Sequence, residues 1–373
     1  MILAEVALII ILSKVFSDLA FKVKQPPVLG ILILGLLLGP SGFRIITPNE
    51  VINIFSEIGV FILLFMVGLE TNIKPKEAKI ASVIALNGVL VPFLLGFLTG
   101  LLFHRSLPQS LMLGTILTAT SVSVTTMTLM DIGKLNTPEG RIVLAAAIID
   151  DVIGIIFLTI VLCVLRTAIS PWITILKLIG FFVATYLVGL LFLLVFGWAE
   201  RLKAREAVLA IAFGMMLIYA FMATNLGIAA ITGAYIAGFI LRRTKYKKTI
   251  LSGMDTIGHS IFICFFFVDI GLKTNLAAIG GNYLFLIVFF LCAIAGKIGG
   301  SFIGTSVTHL KPKRGVRVGI GMIPRGEVAL AIASIALSQG LIQHGDFSSV
   351  VVMVIITALI TPVLLKWSFR EGV

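Results

Sequence analysis

Two adjacent carboxylates, Asp150 and Asp151, stand inside the apolar run Ala145-Ala-Ala-Ile-Ile-Asp-Asp-Val-Ile-Gly154. An ionisable side chain at membrane depth costs about 2.5–3.5 kcal/mol on insertion scales, so each one found there is expected to pair with, bind or move a charge. Neighbours on a helix point about 100° apart, so the two aspartates cannot share one environment: one can face a partner while the other faces a water-filled cavity. That geometry speaks against an intramembrane aspartyl protease, whose two aspartates face each other from different helices. Lys297, in Ala295-Gly-Lys-Ile-Gly-Gly300, is a lone cation too deep to snorkel easily to either surface, and its natural partner is one aspartate of the pair. The small residues around it permit close helix approach.

Two further stretches carry chemistry. Thr115, Thr118, Thr120, Ser121, Ser123, Thr125, Thr126 and Thr128 place eight hydroxyls within fourteen residues of a segment that must cross lipid. Such a segment is expected to be partly unwound, with hydroxyls satisfying freed backbone groups and exposed carbonyls able to coordinate a dehydrated cation. Taken alone, the same hydroxyls could equally bond back to their own helix or hold helices together. In Gly321-Met-Ile-Pro-Arg-Gly-Glu327, Pro324 and Gly326 break a helix outright. Arg325 and Glu327 within that break are read as structural charges that neutralise the broken ends. Glu70, Asp255, His259 and Asp269 lie nearer helix ends and are expected at the membrane interface, and Lys14 with Asp18 looks like a local pair. Cys163, Cys264 and Cys292 sit in apolar runs without paired spacing and read as packing residues.

The elements that position these groups follow from composition. Of 373 residues 59% are hydrophobic and 12% charged, and the mean hydropathy is +1.15. That is a lipid-embedded, all-α chain with no room for a soluble domain. The apolar runs predict about thirteen transmembrane helices, near 2–22, 27–41, 51–70, 77–103, 107–131, 137–166, 171–197, 203–223, 227–242, 249–271, 280–306, 314–340 and 346–368. The first lacks a basic leader and a small-residue cleavage site, so it is expected to stay in place. A net charge of +12 could suggest nucleic acid, but here the basic residues gather on one side of the predicted spans and leave only Arg44, Arg105, Arg166 and Lys273 on the other. The positive-inside rule then puts the amino terminus outside and the carboxyl terminus in the cytoplasm of a cell membrane, with anionic lipid as a partner and no nucleic acid.

Sliding the chain against itself by 203 positions superposes Val67-Gly-Leu-Glu-Thr-Asn72 on Ile270-Gly-Leu-Lys-Thr-Asn275, Gly30 on Gly233 and Gly35 on Gly238. The same shift lays the fifth helix on the twelfth, so the two broken segments are mates. The mates stand seven helices apart, and an odd offset makes the halves an inverted repeat, an arrangement that secondary transporters use for alternating access.

The sequence resembles the second branch of the monovalent cation:proton antiporters, the NapA-like sodium/proton exchangers. The matching residues are Gln25-Pro-Pro-Val-Leu-Gly30, Leu37-Leu-Gly-Pro40, Phe65-Met-Val-Gly-Leu-Glu70, Thr118-Ala-Thr-Ser121, Ile149-Asp-Asp-Val152, Lys297 and Pro324-Arg-Gly-Glu327, which extend over nearly the whole chain. The resemblance implies one antiporter domain over 1–373, with a dimer-forming helix group and a mobile core interleaved in sequence. It implies two crossed, broken helices in an elevator-like core and a homodimer. It further implies Asp151 as the carrier of Na+ or H+, Asp150 as the partner of Lys297 and a second Na+ ligand, and Thr120 and Ser121 as auxiliary site residues. No cofactor is expected; the ions are cargo. The related glutathione-gated potassium systems usually have Gln-Asp where this chain has Asp150-Asp151. A potassium/proton exchanger on the same scaffold, an ion channel and, last, an enzyme are the competing classes; the sequence shows no filter motif and no nucleophile beside a base.

Overall fold

The computed structural model describes residues 2–70, 75–166, 180–181, 183–185, 187–192, 204–226, 228–280, 282–308 and 312–369. Among them there is no strand. The helices are α1 (Ile2–Lys22), α2 (Pro27–Leu38), α3 (Glu50–Glu70), α4 (Pro75–Leu102), α5 (Leu107–Ile116), α6 (Val122–Asp131), α7 (Pro138–Arg166), α8 (Ala207–Asn225), α9 (Ala230–Leu241), α10 (Lys247–Lys273), α11 (Tyr283–Val307), α12 (Pro312–Gly321), α13 (Glu327–Ser338) and α14 (His344–Ser368). Seven of them are long and apolar enough to cross a membrane: α3, α7, α8, α10, α11, α14, and α4 from Lys79. Most of the helix expected near 171–197 lies outside the described residues.

The boundaries follow local chemistry. α2 stops at Leu38, three residues before its expected end, because Gly39 turns extended and Pro40 restricts the residue before it. Ser106 caps α5 reciprocally with Gln109, and Ser121 caps α6. Within α10, Gly258–Phe262 form a π turn.

The described chain divides into two compact units interleaved in sequence: Met1–Leu12, Pro48–Asn72 and Thr159–Asp269 form one, and Ser13–Thr47, Ile73–Leu158 and Ile270–Val373 the other. In the first unit, α3 and α9 pack backbone to backbone: a Cβ added at Gly68 would overlap the Tyr235 carbonyl, and one at Gly238 the Phe65 carbonyl. Asp269, expected at the interface, is buried here, and Ser56 Oγ donates to its Oδ2 at 3.0 Å. Its place near a helix end did not reveal the neighbouring α3, whose hydroxyl makes the burial tolerable. In the second unit, α11 lies against α4 along one face of glycines, where Cβ atoms would meet Pro92 from Gly296, the Asn87 carbonyl from Gly300 and Ile84 from Gly304. Also in this unit, Asp18 bonds Lys22 at 2.6 Å, one turn onward.

Candidate functional site

The second unit contains both broken helices. α5 ends at Ile116 and α6 starts at Val122; α12 ends at Gly321 and α13 starts at Glu327. The two breaks meet. Ser121 N–H donates to the Pro324 carbonyl at 2.7 Å, and Thr125 Oγ1 donates to the Gly321 carbonyl at 2.6 Å. A Cβ at Gly326 would come within 2.5 Å of Ser121 Oγ, so glycine is what lets the segments touch.

Asp150 and Asp151 sit in α7 at 0% and 3% exposure, and Lys297 of α11 is wholly buried. Lys297 Nζ donates to Asp150 Oδ1 at 2.9 Å, to Asp150 Oδ2 at 2.8 Å and to the Thr118 carbonyl at 2.6 Å. An ammonium has three donors, and all three are used. The Thr118 carbonyl is available because the break removes the helical amide that would otherwise take it. Thr120 Oγ1 lies 3.4 Å from the Met322 carbonyl and within hydrogen-bond reach of Asp150. Ser121 Oγ accepts from Val124 N as the α6 cap and donates to Glu327 Oε2 at 3.4 Å.

Asp151 differs from its neighbour. Its Oδ1 is buried without a hydrogen-bond partner, although buried polar atoms are nearly always paired. Asp150 and Glu327 lie close enough to act on it electrostatically. A proton or a cation would answer both the missing bond and the crowded negative charge. Among the described residues no group of three or more His, Cys, Asp or Glu is placed to hold a metal ion. A cation here would draw on carboxylate, hydroxyl and carbonyl oxygens, a donor set suited to a hard ion.

Arg325 is completely buried and ties the break together. Its guanidinium donates to the Ala119 carbonyl and, at 2.9 Å, to the Ala293 carbonyl, while its backbone N–H donates to Thr357 Oγ1 at 3.2 Å. Glu327 occupies the first turn of α13, where the positive end of a helix favours an anion. Other hydroxyls serve their own helices: Thr115 bonds the Leu111 carbonyl, Thr118 the Thr115 carbonyl and Thr128 the Val124 carbonyl. The segment is therefore broken as expected, and several of its hydroxyls also bond back to their own helix. Sequence reasoning missed Ala293 and Thr357, which contribute through one carbonyl and one hydroxyl. It also missed Gly88, where an added Cβ would lie 3.8 Å from Asp150 Oδ1 and 3.9 Å from Lys297 Nζ. Asn87-Gly88, interrupting an apolar run, was the available signal.

The model of the family described as sodium/hydrogen exchanger, transmembrane, matches residues 6–371. The chain belongs to this family of transmembrane sodium/hydrogen exchangers. Among similar proteins, the Na+/H+-K+ antiporter GerN of Bacillus cereus is 35% identical over 369 residues, covering 98% of this chain and 95% of GerN. A Na+/H+ antiporter of Enterococcus hirae is 31% identical over 371 residues, covering 98% and 97%. The solved structure of the sodium proton antiporter MjNhaP1 from Methanocaldococcus jannaschii at pH 8 matches with a TM-score of 0.75 at 20% identity, over 98% of this chain and 96% of that one. This likeness shows that the exchanger shares its fold. The expectation of a sodium/proton exchanger is met at the level of the family.

Proposed function

We propose that this protein exchanges Na+ for H+ across a cell membrane, with one ion or one proton at a time held at Asp151. The observation that carries the reading is the orphaned, buried Asp151 Oδ1 beside a neutral Asp150–Lys297 pair, at the meeting point of two broken helices. One carboxylate with room for a single partner makes cation and proton compete, and competition at a site open to each side in turn is exchange. Asp150, Thr120 and Ser121 supply further oxygens when the cation arrives. As Asp150 turns to the ion, Lys297 loses its counter-charge in a dry site and releases a second proton, so one Na+ moves against two H+ and the cycle carries one net charge. Arg325 and Glu327 hold the broken ends. The ions are cargo, and no cofactor takes part.

The wider architecture in this reading is an inverted repeat of about thirteen spans, amino terminus outside and carboxyl terminus cytoplasmic, working as a homodimer with an elevator-like core. Support comes from contacts related by the same 203-residue shift. Gly30 packs on the Phe16 carbonyl and Gly233 on the Tyr219 carbonyl; Gly271 packs on Gly35 and Gly68 on Gly238. Gly59 packs on Phe262, and Ser121 bonds Pro324, each residue meeting its own mate. Mates that touch are what a twofold axis requires of residues lying on it.

Proton-coupled flux in proteoliposomes, with Na+, Li+ and K+ compared, tests the function. Saturable Na+ uptake coupled to H+ release is expected. Uncoupled, non-saturating current would mean a channel, and coupling to K+ alone would move the assignment to potassium exchange. That second reading has one specific support: GerN is a Na+/H+-K+ antiporter.

A further inference from the structure

We propose that two ion pairs at opposite ends of the second unit, Arg105–Asp346 and Arg314–Glu139, are positioning pairs for exchange. Each ties the first half of a broken helix to a whole helix and so sets where the oxygens of the crossing stand. Arg105 Nη2 lies 2.8 Å from Asp346 Oδ1, and Arg314 Nε lies 3.0 Å from Glu139 Oε1. Arg105 stands just before Ser106, the cap of α5, and Asp346 stands in the first turn of α14. Arg314 stands in the first turn of α12, and Glu139 in the first turn of α7. Both acids thus sit at the positive end of a whole helix, where an anion is favoured. The chain passes from Arg105 through α5, the break and α6 before it reaches Glu139, so the two pairs lie at opposite ends. Under the 203-residue repeat α12 is the mate of α5 and α14 the mate of α7, and each pair joins a half-helix of one repeat to a whole helix of the other. The charged residues do not fall in register, so the match is one of place and not of sequence.

Each arginine is held in place. Arg105 N–H donates to the Gly100 carbonyl at 2.9 Å, its own carbonyl accepts from Ser110 Oγ at 3.4 Å, and a Cβ on Gly100 would come within 2.6 Å of Ser110 Oγ. Its guanidinium also stands 5.4 Å from the centre of the buried Phe285 ring of α11. Asp346 is wholly buried, so its charge depends on this arginine. At the other end α12 has a second hold: Arg317 Nε donates to the carbonyl of Ser368, the last residue of α14, at 2.8 Å. What these ties place is the crossing. α5 runs ten residues, about 15 Å, to the break where the Thr118 carbonyl receives Lys297 and the Ala119 carbonyl receives Arg325. α12 runs ten residues to the Gly321 carbonyl, which receives Thr125, and to the Met322 carbonyl, 3.4 Å from Thr120 Oγ1. A half-helix has no second half to keep its axis, so a shift at its start is passed on to its end.

The proposal rests on the reading of Asp151 as a site shared by Na+ and H+. Its test measures Na+-driven proton movement in proteoliposomes, as half-saturating Na+ and maximal rate at one pH, beside the thermal unfolding midpoint. Four proteins are compared: wild type, Arg105→Met with Asp346→Leu, Arg105→Lys, and Arg314→Gln with Arg317→Gln. The first double variant removes both buried charges together, so neither is left unpaired. The second touches a half-exposed pair and keeps the test open if the first does not fold. Half-saturating Na+ should rise about tenfold or more in both double variants, as it does when groups that orient the ligands of an ion are lost. Loss of the two cations at Arg314 and Arg317 would by itself draw Na+ in and lower that value, so a rise reports position and not surface charge. Arg105→Lys should stay near wild type, because the pair uses one nitrogen of Arg105. Wild-type half-saturation in either double variant, whatever its unfolding midpoint, would overturn the positioning role, as would a lysine variant as weak as the double one. A wild type that moves no protons in response to Na+ would defeat the exchange reading and this proposal with it.

Discussion

Gly300 of α11 lies so close to α4 that a Cβ on it would overlap the carbonyl oxygen of Asn87, and the next residue of α4, Gly88, borders both Asp150 and Lys297. The helix that carries the buried lysine is therefore seated by a glycine against the helix that walls the site. Gly300→Ala should cost about 1–3 kcal/mol through overpacking and lower the unfolding midpoint in detergent. Gly299→Ala, where an added Cβ meets nothing within 4 Å, should leave the midpoint in place. Equal behaviour of the two variants would show that the close approach is not needed.

Asp151→Asn removes the choice between proton and cation while keeping the side chain's shape. Exchange should stop, and the protein should still insert and unfold cooperatively, because Asp151 supports no ion pair of its own. Sodium-driven proton movement near the wild-type rate in liposomes would remove Asp151 from the role given to it.

Because a proton and Na+ compete for one carboxylate, apparent sodium affinity must fall as pH falls. Where Asp151 is mostly protonated, each unit of pH should weaken it at least about tenfold, and more where Na+ binding also drives the proton off Lys297. A half-saturation concentration that stays constant from about pH 6 to 9 would contradict a shared site.

Lys297→Gln leaves Asp150 buried without its counter-charge, and breaking such a pair typically costs about 3–5 kcal/mol. Adding Asp150→Asn to Lys297→Gln should recover much of that loss, because the uncompensated charge is gone. In liposomes clamped at zero and then at about −100 mV, the wild-type sodium equilibrium should shift by up to about 2.3 kcal/mol per net charge moved. The shift should vanish in Lys297→Gln if that variant still transports. A wild-type equilibrium indifferent to voltage would reduce Lys297 to a fixed counter-charge.

Much of this site was legible because intramembrane charge is rare and backbone breakage has a residue signature. Asp150-Asp151, Lys297 and the Pro324-Arg-Gly-Glu327 break stood out on those grounds, and the hydroxyl-rich segment opened where its partner opens. What stayed hidden depends on carbonyls and on absence of side chains. Ala119 and Ala293 act through backbone oxygen, which any residue has, and Gly88 acts by leaving space. The burial of Asp269 was hidden for a different reason: position along a helix says nothing of which neighbour arrives beside it.

The buried charges at the crossing also carry a sum. With Asp150, Asp151 and Glu327 ionised and Lys297 and Arg325 protonated, three negative charges meet two positive ones. The four helix ends that converge there come as two amino and two carboxyl termini, whose partial charges cancel in pairs. The crossing is left one charge short of neutrality. A proton on Asp151 brings it to zero, whereas in the two-proton scheme Na+ arrives as Lys297 gives up its proton and the count returns to minus one. The two loaded forms of the crossing thus differ by one charge, which is what a membrane potential would act on.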